Sequence, residues 1–262
     1  MTQLALVTGA GSGLGRATAL GLAKRGCRLA LVDIDADAAA AVARECGHAH
    51  AIVQDLTAPG GAEAAVARSI AVLNGLSIVV NNAGYGAGEA FLEMREAIWD
   101  RTLDLNLKAV ALICAAAGRH MRDHGGGRIV NITSPASRMA LPNYLAYAAS
   151  KAGVDAVTRA AAVALAPFGV TVNSVAPGMM DTPMQRITEQ QLAALEGRND
   201  YKDAAEELTP VGGDPVAAIP VVVATLATLI EPSLWRRFYT GATGPYALTA
   251  EAWRKIIAAS EQ

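Results

Sequence analysis

The sequence predicts a doubly wound α/β fold: a mainly parallel, seven-stranded sheet with helices on both faces. Short β-branched apolar runs alternate with Ala-rich helical stretches along the chain, which is typical of parallel strands joined by helices. Most of these runs are continuously apolar, as expected for strands that are covered on both faces. No Pro/Ser/Gly linker and no internal repeat divides the 262 residues, so we expect one domain over 1–262.

The predicted elements follow each other in a regular order. Strands are predicted at 4–8, 28–33, 50–54, 77–81, 127–132, 170–175 and 236–240. Helices are predicted at about 13–25, 35–46, 60–73, 93–122, 147–166 and 214–230. In such sheets ligands bind beyond the carboxyl ends of the strands, so residues that directly follow a strand are the first functional candidates.

Composition narrows the range of partners. The net charge of −2 gives no basic field, so we expect neither a nucleic acid nor a membrane as a partner. No charged leader precedes the first strand, and three cysteines without CxxC spacing fit reduced thiols, so a cytoplasmic location is expected. The four histidines lack the spacing of metal ligands, and no metal site is expected.

The segment TGAGSGLG (8–15) lies between the first strand and the first helix. Glycines without side chains allow a pyrophosphate to approach the backbone, and the start of the helix offers free N–H groups. The alternative is a turn that merely bends the chain. This Rossmann-type position favours a dinucleotide site, for which we select the five residues Gly9, Ser12, Gly13, Leu14 and Gly15.

Asp33 ends the second strand, 20 residues after Gly13. A carboxylate at this point accepts hydrogen bonds from ribose hydroxyls and repels a 2′-phosphate. The next residues, Ile34 and Asp35, supply no cation for such a phosphate. NAD is therefore favoured over NADP, with an exposed turn acid or helix cap as the alternative role of Asp33.

Six motifs in order resemble the short-chain dehydrogenase/reductase family, in its compact single-domain branch, from residue 1 to about 185. They are TGAGSGLG, NNAG (81–84), Asn106 in DLNLKA, Ser134 in IVNITS, YAASK (147–151) and PGMMDT (177–182). The resemblance implies an oxidoreductase that moves a hydride between an alcohol carbon and a nicotinamide ring.

The resemblance implies four catalytic residues, and their chemistry suits this reaction. Oxidation of a secondary alcohol needs a base for the hydroxyl proton, and Tyr147 is the candidate. Lys151 lies four residues on, on the same helical face, where an ammonium favours phenolate. Ser134 would hold the substrate oxygen, and the carbonyl of Asn106 would anchor a water in a proton relay. The alternatives are a surface Tyr–Lys pair, a capping serine and a structural asparagine.

The remaining cofactor contacts are also implied by the resemblance. Tyr147 and Lys151 would border the nicotinamide half, and Lys151 would hold its ribose. The other positions are Asp55 and Leu56 at the adenine, Asn82, Ala83 and Gly84 along the adenosine side, Pro177 and Gly178 beneath the nicotinamide, and Met180 and Thr182 at its carboxamide.

The substrate side is less defined. Segment 183–212 would form a lid over the alcohol, and the wall would include Ala136, Tyr144, Met179 and Met184. This largely apolar set favours an apolar secondary alcohol or ketone. The tail 241–262 lacks the family's Val-Asp-Gly-Gly ending, so a homodimer through the helices at 93–122 and 147–166 is expected and a tetramer is left open.

The function predicted is thus an NAD-dependent alcohol dehydrogenase or ketone reductase. Two alternatives remain open at this point. One is a carbonyl reductase that uses NADPH, which Asp33 opposes. The other is a dinucleotide-binding sensor without catalysis, for which the atypical tail is the support.

Overall fold

The computed structural model describes residues 2–197, and within them six parallel strands form one sheet. The strands are β1 (Leu4–Thr8), β2 (Arg28–Asp33), β3 (Ala49–Val53), β4 (Ile78–Asn81), β5 (Gly127–Ile132) and β6 (Val170–Val175). Their order is β3-β2-β1-β4-β5-β6, and every pairing is parallel. The predicted Rossmann-type fold is confirmed. The predicted seventh strand (236–240), the helix at 214–230 and the tail 241–262 lie outside the described residues.

Helices cover both faces of the sheet. They are α1 (Gly13–Lys24), α2 (Ala36–Cys46), α3 (Gly61–Leu73), α4 (Glu96–Leu103), α5 (Ala109–Asp123), α6 (Leu145–Leu165) and α7 (Pro183–Glu196). One core layer packs α3, α5 and α6 against side chains such as Leu6 and Val32, and the other packs α1 and α2 against Val7 and Leu31. Because neighbouring strand residues enter opposite layers, both faces are apolar, which explains the continuous apolar runs.

Two regions differ from the sequence prediction. The predicted helix at 93–122 is divided: a 3-10 turn covers Phe91–Glu93, and a π turn at Asp104–Lys108 separates α4 from α5. The predicted lid (183–212) lies within the described residues only up to Gly197, and this part contains α7, which was not predicted as a helix. The side chain of Thr182 caps its start by accepting from the Gln185 N–H at 3.2 Å, and Gly197 (φ 63°) ends it.

A buried polar chain joins β4, β5 and α6. The Asn81 Nδ2 donates to Asn131 Oδ1 at 2.8 Å, and the Asn131 Nδ2 donates to Thr158 Oγ1 at 2.9 Å. All three side chains are buried. Asn81 therefore braces the sheet and does not extend into the ligand crevice.

The strand order reverses between β1 and β4, which is where ligands bind in open α/β sheets. The turn after β1, the loop after β4 and the loops after β5 and β6 all end at this edge. Within residues 2–197, no helix is both long and apolar enough to cross a membrane.

Candidate active site

The turn between β1 and α1 is shaped by glycines that cannot be replaced freely. Gly9 and Gly13 adopt positive φ angles of 62° and 50°, a backbone region that favours glycine. A Cβ on Gly15 would overlap the carbonyl oxygen of Gly9, and a Cβ on Gly9 would lie 2.8 Å from the Ala83 Cα. Because these glycines have no side chains, the turn packs directly against the first turn of α1 and against the loop after β4.

The loop after β4 is tied directly to this turn. The Asn82 side-chain amide donates to the carbonyls of Thr8 (2.9 Å) and Gly9 (3.1 Å). In return, the Thr8 hydroxyl accepts from the backbone N–H groups of Asn82 and Ala83, both at 3.0 Å. Asn82 and Ala83 thus brace the glycine turn in the structure.

Asp33 lies against the same turn. Its Oδ2 accepts from the Gly11 N–H at 2.8 Å, and its Oδ1 accepts from the Asp35 N–H at 3.1 Å. The helix cap that the sequence left open for Asp33 is supplied by Asp35, whose side chain accepts from the Ala38 N–H at 3.0 Å. The Asp33 carboxylate is thereby fixed between the glycine turn and the end of β2.

Asp55 and Leu56 follow β3, further along the same edge. Asp55 Oδ1 accepts from both the N–H (2.8 Å) and the hydroxyl (2.7 Å) of Thr57. These hydrogen bonds lower the pKa of the exposed Asp55 carboxyl. Because the Leu56 side chain is buried, its backbone is the part suited to contact a ligand.

Ser134, Tyr147 and Lys151 come together beyond the end of β5. Ser134 begins the 3-10 turn Pro135–Arg138, and Tyr147 and Lys151 lie one turn apart on α6. Ser134 and Tyr147 are joined by a side-chain hydrogen bond. Lys151 Nζ donates to the Ile132 carbonyl at 2.8 Å and lies 5.5 Å from the centre of the Tyr147 ring. The structure therefore places a serine, a phenol and an ammonium in one cluster.

Burial governs the protonation of this cluster. It lowers the pKa of Lys151 to about 8, while the negative charge of Asp155 opposes the lowering. Burial raises the pKa of Tyr147, and the hydrogen bond from Ser134 opposes that rise. From the sequence, Lys151 was expected to lower the pKa of Tyr147; in the structure the group that acts in this direction is Ser134.

Asn106 is fully buried in the π turn, and its side chain is used for positioning. Its Nδ2 donates to the Tyr85 carbonyl (2.8 Å) and to Ser150 Oγ (3.0 Å), and its Oδ1 accepts from the Tyr85 N–H (2.8 Å). A Cβ on the exposed Gly84 would lie 3.5 Å from Asn106 Oδ1 and 3.8 Å from Lys151 Nζ. Asn106 therefore fixes the loop after β4 beside the lysine.

The segment from Pro177 to Thr182 joins β6 to α7 and returns to the glycine turn. A Cβ on Gly13 would lie 3.1 Å from the Thr182 Cγ2. Pro177 is buried, Gly178 is exposed and Met180 packs against the core on the α1 face. The two ends of the predicted cofactor site therefore meet in the fold.

Of the four residues expected to form the substrate wall, Tyr144 contacts Tyr147 directly. Tyr144 stacks on Tyr147 with ring centres 4.5 Å apart. Ala136 is buried, Met179 is half-buried and Met184 is 37% exposed. The wall is thus apolar in its side chains, but only part of it is covered.

Four residues that were not selected from the sequence lie where α7, the loop after β4 and Tyr144 meet. Gln191 Oε1 accepts from the Gly88 N–H at 2.9 Å, and Thr188 Oγ1 lies 3.5 Å from the Tyr144 hydroxyl. A Cβ on Gly86 would overlap that hydroxyl. The two glycines in YGAG (85–88) indicated that other parts of the chain pack closely against this loop. Nothing in the sequence pointed to Thr188 or Gln191.

A family model described as short chain dehydrogenase matches residues 3–193. The chain belongs to this family. A probable galactose dehydrogenase of Rhizobium meliloti is 37% identical over 205 residues, which cover 75% of this chain and 80% of that protein. The resemblance inferred from the motifs is thereby confirmed, and the chain is an oxidoreductase of the short-chain dehydrogenase class.

Solved structures show the same fold with different cofactors. An NAD⁺-bound xylitol dehydrogenase has a TM-score of 0.78 and 29% identity, covering 88% of this chain and 93% of that one. An actinorhodin polyketide ketoreductase with NADPH has a TM-score of 0.81 and 30% identity, covering 89% and 92%. Short-chain dehydrogenases bind nicotinamide dinucleotides, and the choice between the two cofactors depends on residues of the individual chain.

Proposed function

We propose that this short-chain dehydrogenase transfers a hydride between a secondary alcohol and NAD, with Tyr147 as the acid/base. The observation that carries the proposal is the cluster of Ser134, Tyr147 and Lys151: a phenol hydrogen-bonded to a serine, beside a buried ammonium. This set suits proton transfer to and from an alcohol oxygen. A protein that only bound the dinucleotide would not need it.

The crevice fits the cofactor. The glycine turn leaves backbone N–H groups at the start of α1 uncovered by side chains. Gly9 and Gly15 have no room for a Cβ, and Gly13 has a positive φ that favours glycine. We assign the pyrophosphate to this turn, with Ser12 and Leu14, and the adenosine to Asp33, Asp55, Leu56, Asn82, Ala83 and Gly84. The nicotinamide half is assigned to Tyr147, Lys151, Pro177, Gly178, Met180 and Thr182.

The preference for NAD is supported by the position of Asp33. Its carboxylate is held against the glycine turn by the Gly11 N–H, at the end of β2. Ribose hydroxyls can donate to such a carboxylate, whereas a 2′-phosphate would be repelled. The neighbouring Ile34 is 69% exposed and offers no positive charge in compensation.

The chain's own residues divide the work of the reaction. The bound nicotinamide supplies the hydride acceptor, or the donor in the reverse direction. The Ser134 hydroxyl orients the substrate oxygen, and Tyr147 Oη takes its proton as the carbon–hydrogen bond breaks. The described contact uses one of the three Lys151 N–H donors, so the ammonium can also bind a ribose hydroxyl while its charge favours the phenolate. Asn106 keeps the loop after β4 in place beside Lys151.

We propose an apolar secondary alcohol or ketone as the substrate, bounded by Ala136, Tyr144, Met179 and Met184; the stacking of Tyr144 on Tyr147 supports this placement. The names of relatives include sugar and polyol dehydrogenases, which makes polyols the comparison class. A panel for the first assay therefore pairs cyclic and aryl secondary alcohols with sugar alcohols of similar size.

The test is the formation of NADH at mildly alkaline pH, because the raised pKa of Tyr147 disfavours phenolate at neutral pH. We expect Tyr147→Phe to lower kcat by about 10³-fold and to leave NADH binding intact. The matched control is Tyr85→Phe, whose ring would still stack under Arg101 and whose activity should be retained. Undiminished hydride transfer by Tyr147→Phe would refute the assignment.

A further inference from the structure

Asp155 is a charged residue next to the reacting groups that none of the family motifs above includes. It lies on α6 four residues after Lys151, so the two side chains share one face of the helix. Asp155 is half-buried, and its Oδ2 accepts a hydrogen bond from the Ser137 hydroxyl at 2.8 Å. A carboxylate held in this way cannot turn freely into solvent.

The two side chains reach the same short segment of chain. Lys151 Nζ donates to the carbonyl of Ile132 at the end of β5, and Asp155 binds Ser137 five residues later. Ser134 lies between these two anchor points and accepts from the Ala136 N–H at 3.2 Å within the same 3-10 turn. The Ser137–Asp155 contact therefore fastens the turn that carries Ser134 to the helix that carries Lys151.

We propose that Asp155, fixed by Ser137, is a positioning residue that supplies the counter-charge for the Lys151 ammonium. The inference rests on the proposed function, in which that ammonium must stay charged. Lys151 is only 4% exposed, and its direct partner is a neutral carbonyl. A buried ammonium without a counter-charge tends to lose its proton, because removal from water disfavours the charged form.

The charges of the surrounding elements leave this task to Asp155. Asn106 and Gly84, which lie beside Lys151 Nζ, are neutral, and Tyr147 becomes negative only when it has lost its proton. Arg138 and Arg159 on the adjoining elements have the same sign as Lys151. Helix α4, which also packs on α6, carries the exposed Glu96, Asp100 and Arg101, but the charge that shifts the pKa of Lys151 is that of Asp155. The half-buried Asp104 on the π turn pairs with Lys108 at 3.1 Å. In keeping with the geometry, Asp155 acts to raise the pKa of Lys151 against the effect of burial.

The test measures the lysine itself. NMR titration of the Nζ and Cε signals in the cofactor-free protein reports the pKa of Lys151, and Lys151→Met identifies its resonance among the five lysines. We expect Asp155→Asn, which can still accept from Ser137, to lower this pKa from about 8 by about one unit. Asp155→Glu should restore most of the difference because it restores the charge.

Controls separate a charge effect from damage to the fold. Asp123→Asn removes an exposed acid at the end of α5, which pairs with Arg122, and should leave the Lys151 titration unchanged. The Lys108 signal in the same spectra should stay constant in every variant. If Asp155→Asn folds poorly, Asp155→Ser serves as the second variant without the charge. A pKa of Lys151 that equals the wild-type value in the charge-free variants would overturn the proposal.

Activity then provides an independent check. At pH 8, a one-unit drop in the lysine pKa lowers its charged fraction about fivefold, and kcat/KM should fall by the same factor. A purely structural role would lower activity equally at all pH values. A shifted lysine pKa together with full activity of Tyr147→Phe would refute the proposed function and leave the role of Asp155 intact.

Discussion

The glycine turn after β1 and the helix α7 after β6 border the same crevice, but different contacts hold them. The turn is fixed by backbone geometry and by hydrogen bonds to carbonyls, such as those from Asn82 to Thr8 and Gly9. Helix α7 is held by side chains: Gln191 accepts from Gly88, and Thr188 approaches Tyr144. The first kind of contact tolerates almost no change of residue, whereas the second can be rebuilt by many residue types.

This difference matches what each side must recognise. A dinucleotide has a constant shape, so a backbone cradle that excludes side chains suits it. An alcohol substrate varies between relatives, and a wall made by interchangeable side chains can vary with it. We therefore expect substitutions in the turn to affect stability and cofactor binding together, and substitutions in α7 to affect substrate binding but not cofactor binding.

The largest effect is expected for Gly15→Ala. The new Cβ would overlap the Gly9 carbonyl oxygen, so the backbone of the turn would have to move. We expect the free energy of unfolding to fall by about 3 kcal/mol and NADH binding to be lost. Urea denaturation and titration of NADH fluorescence measure both. Gly26→Asn is the matched control, since Gly26 has φ 77° with nothing within 4 Å of an added Cβ, and asparagine tolerates that conformation. Normal NADH binding by Gly15→Ala would contradict the assignment of the pyrophosphate to this turn.

An intermediate effect is expected for Asp33→Ser, which changes a side chain of the cofactor side and leaves the turn in place. Loss of the carboxylate should lower the preference for NAD over NADP by about 30-fold, or about 2 kcal/mol. The ratio of kcat/KM values for the two cofactors measures it. Asp35→Ser is the control, because serine still caps α2 and Asp33 is retained. An unchanged ratio in Asp33→Ser would place the determinant of cofactor choice elsewhere.

The smallest effect is expected on the substrate side, for Gln191→Ala. The variant leaves the Gly88 N–H without its partner at 2.9 Å, which costs about 1 kcal/mol. We expect a rise of about fivefold in KM for the alcohol and a fall of about 3 °C in Tm, with the Kd for NADH nearly unchanged. Gln190→Ala, at the exposed neighbouring position, should behave as wild type. A loss of NADH binding in Gln191→Ala would remove the distinction between the two sides.

Much of the fold could be predicted because its signals are local. β1, β2, β5 and β6 have the predicted bounds, since each is a short run in which Val, Ile or Leu recurs between helical stretches. The helix at 93–122 was predicted without its interruption, because a π turn leaves the apolar periodicity on either side intact. Helix α7 was missed because its surface is largely polar. Its cap at Thr182, followed by Pro183, was nevertheless a usable signal.

The site shows the same division between local and distant information. Ser134, Tyr147 and Lys151 could be selected because they lie in short motifs next to recognisable elements. The contact between Gly88 and Gln191 joins residues 103 positions apart, and no local pattern predicts which side chain will meet that loop. Asp155 has the correct helical spacing from Lys151, but its partner Ser137 becomes evident only when the 3-10 turn is placed against α6.

The π turn at Asp104–Lys108 constrains the length of this part of the chain. A regular helix advances about 100° per residue, and a π turn accommodates one extra residue without a break. Here it lets Asn106 point towards Tyr85 and Ser150 while α5 keeps Ile113 and Ala117 on the sheet. A chain one residue shorter could retain the orientation of Asn106 or the apolar face of α5, but not both. At this point the number of residues, as much as their identity, determines the geometry beside Lys151.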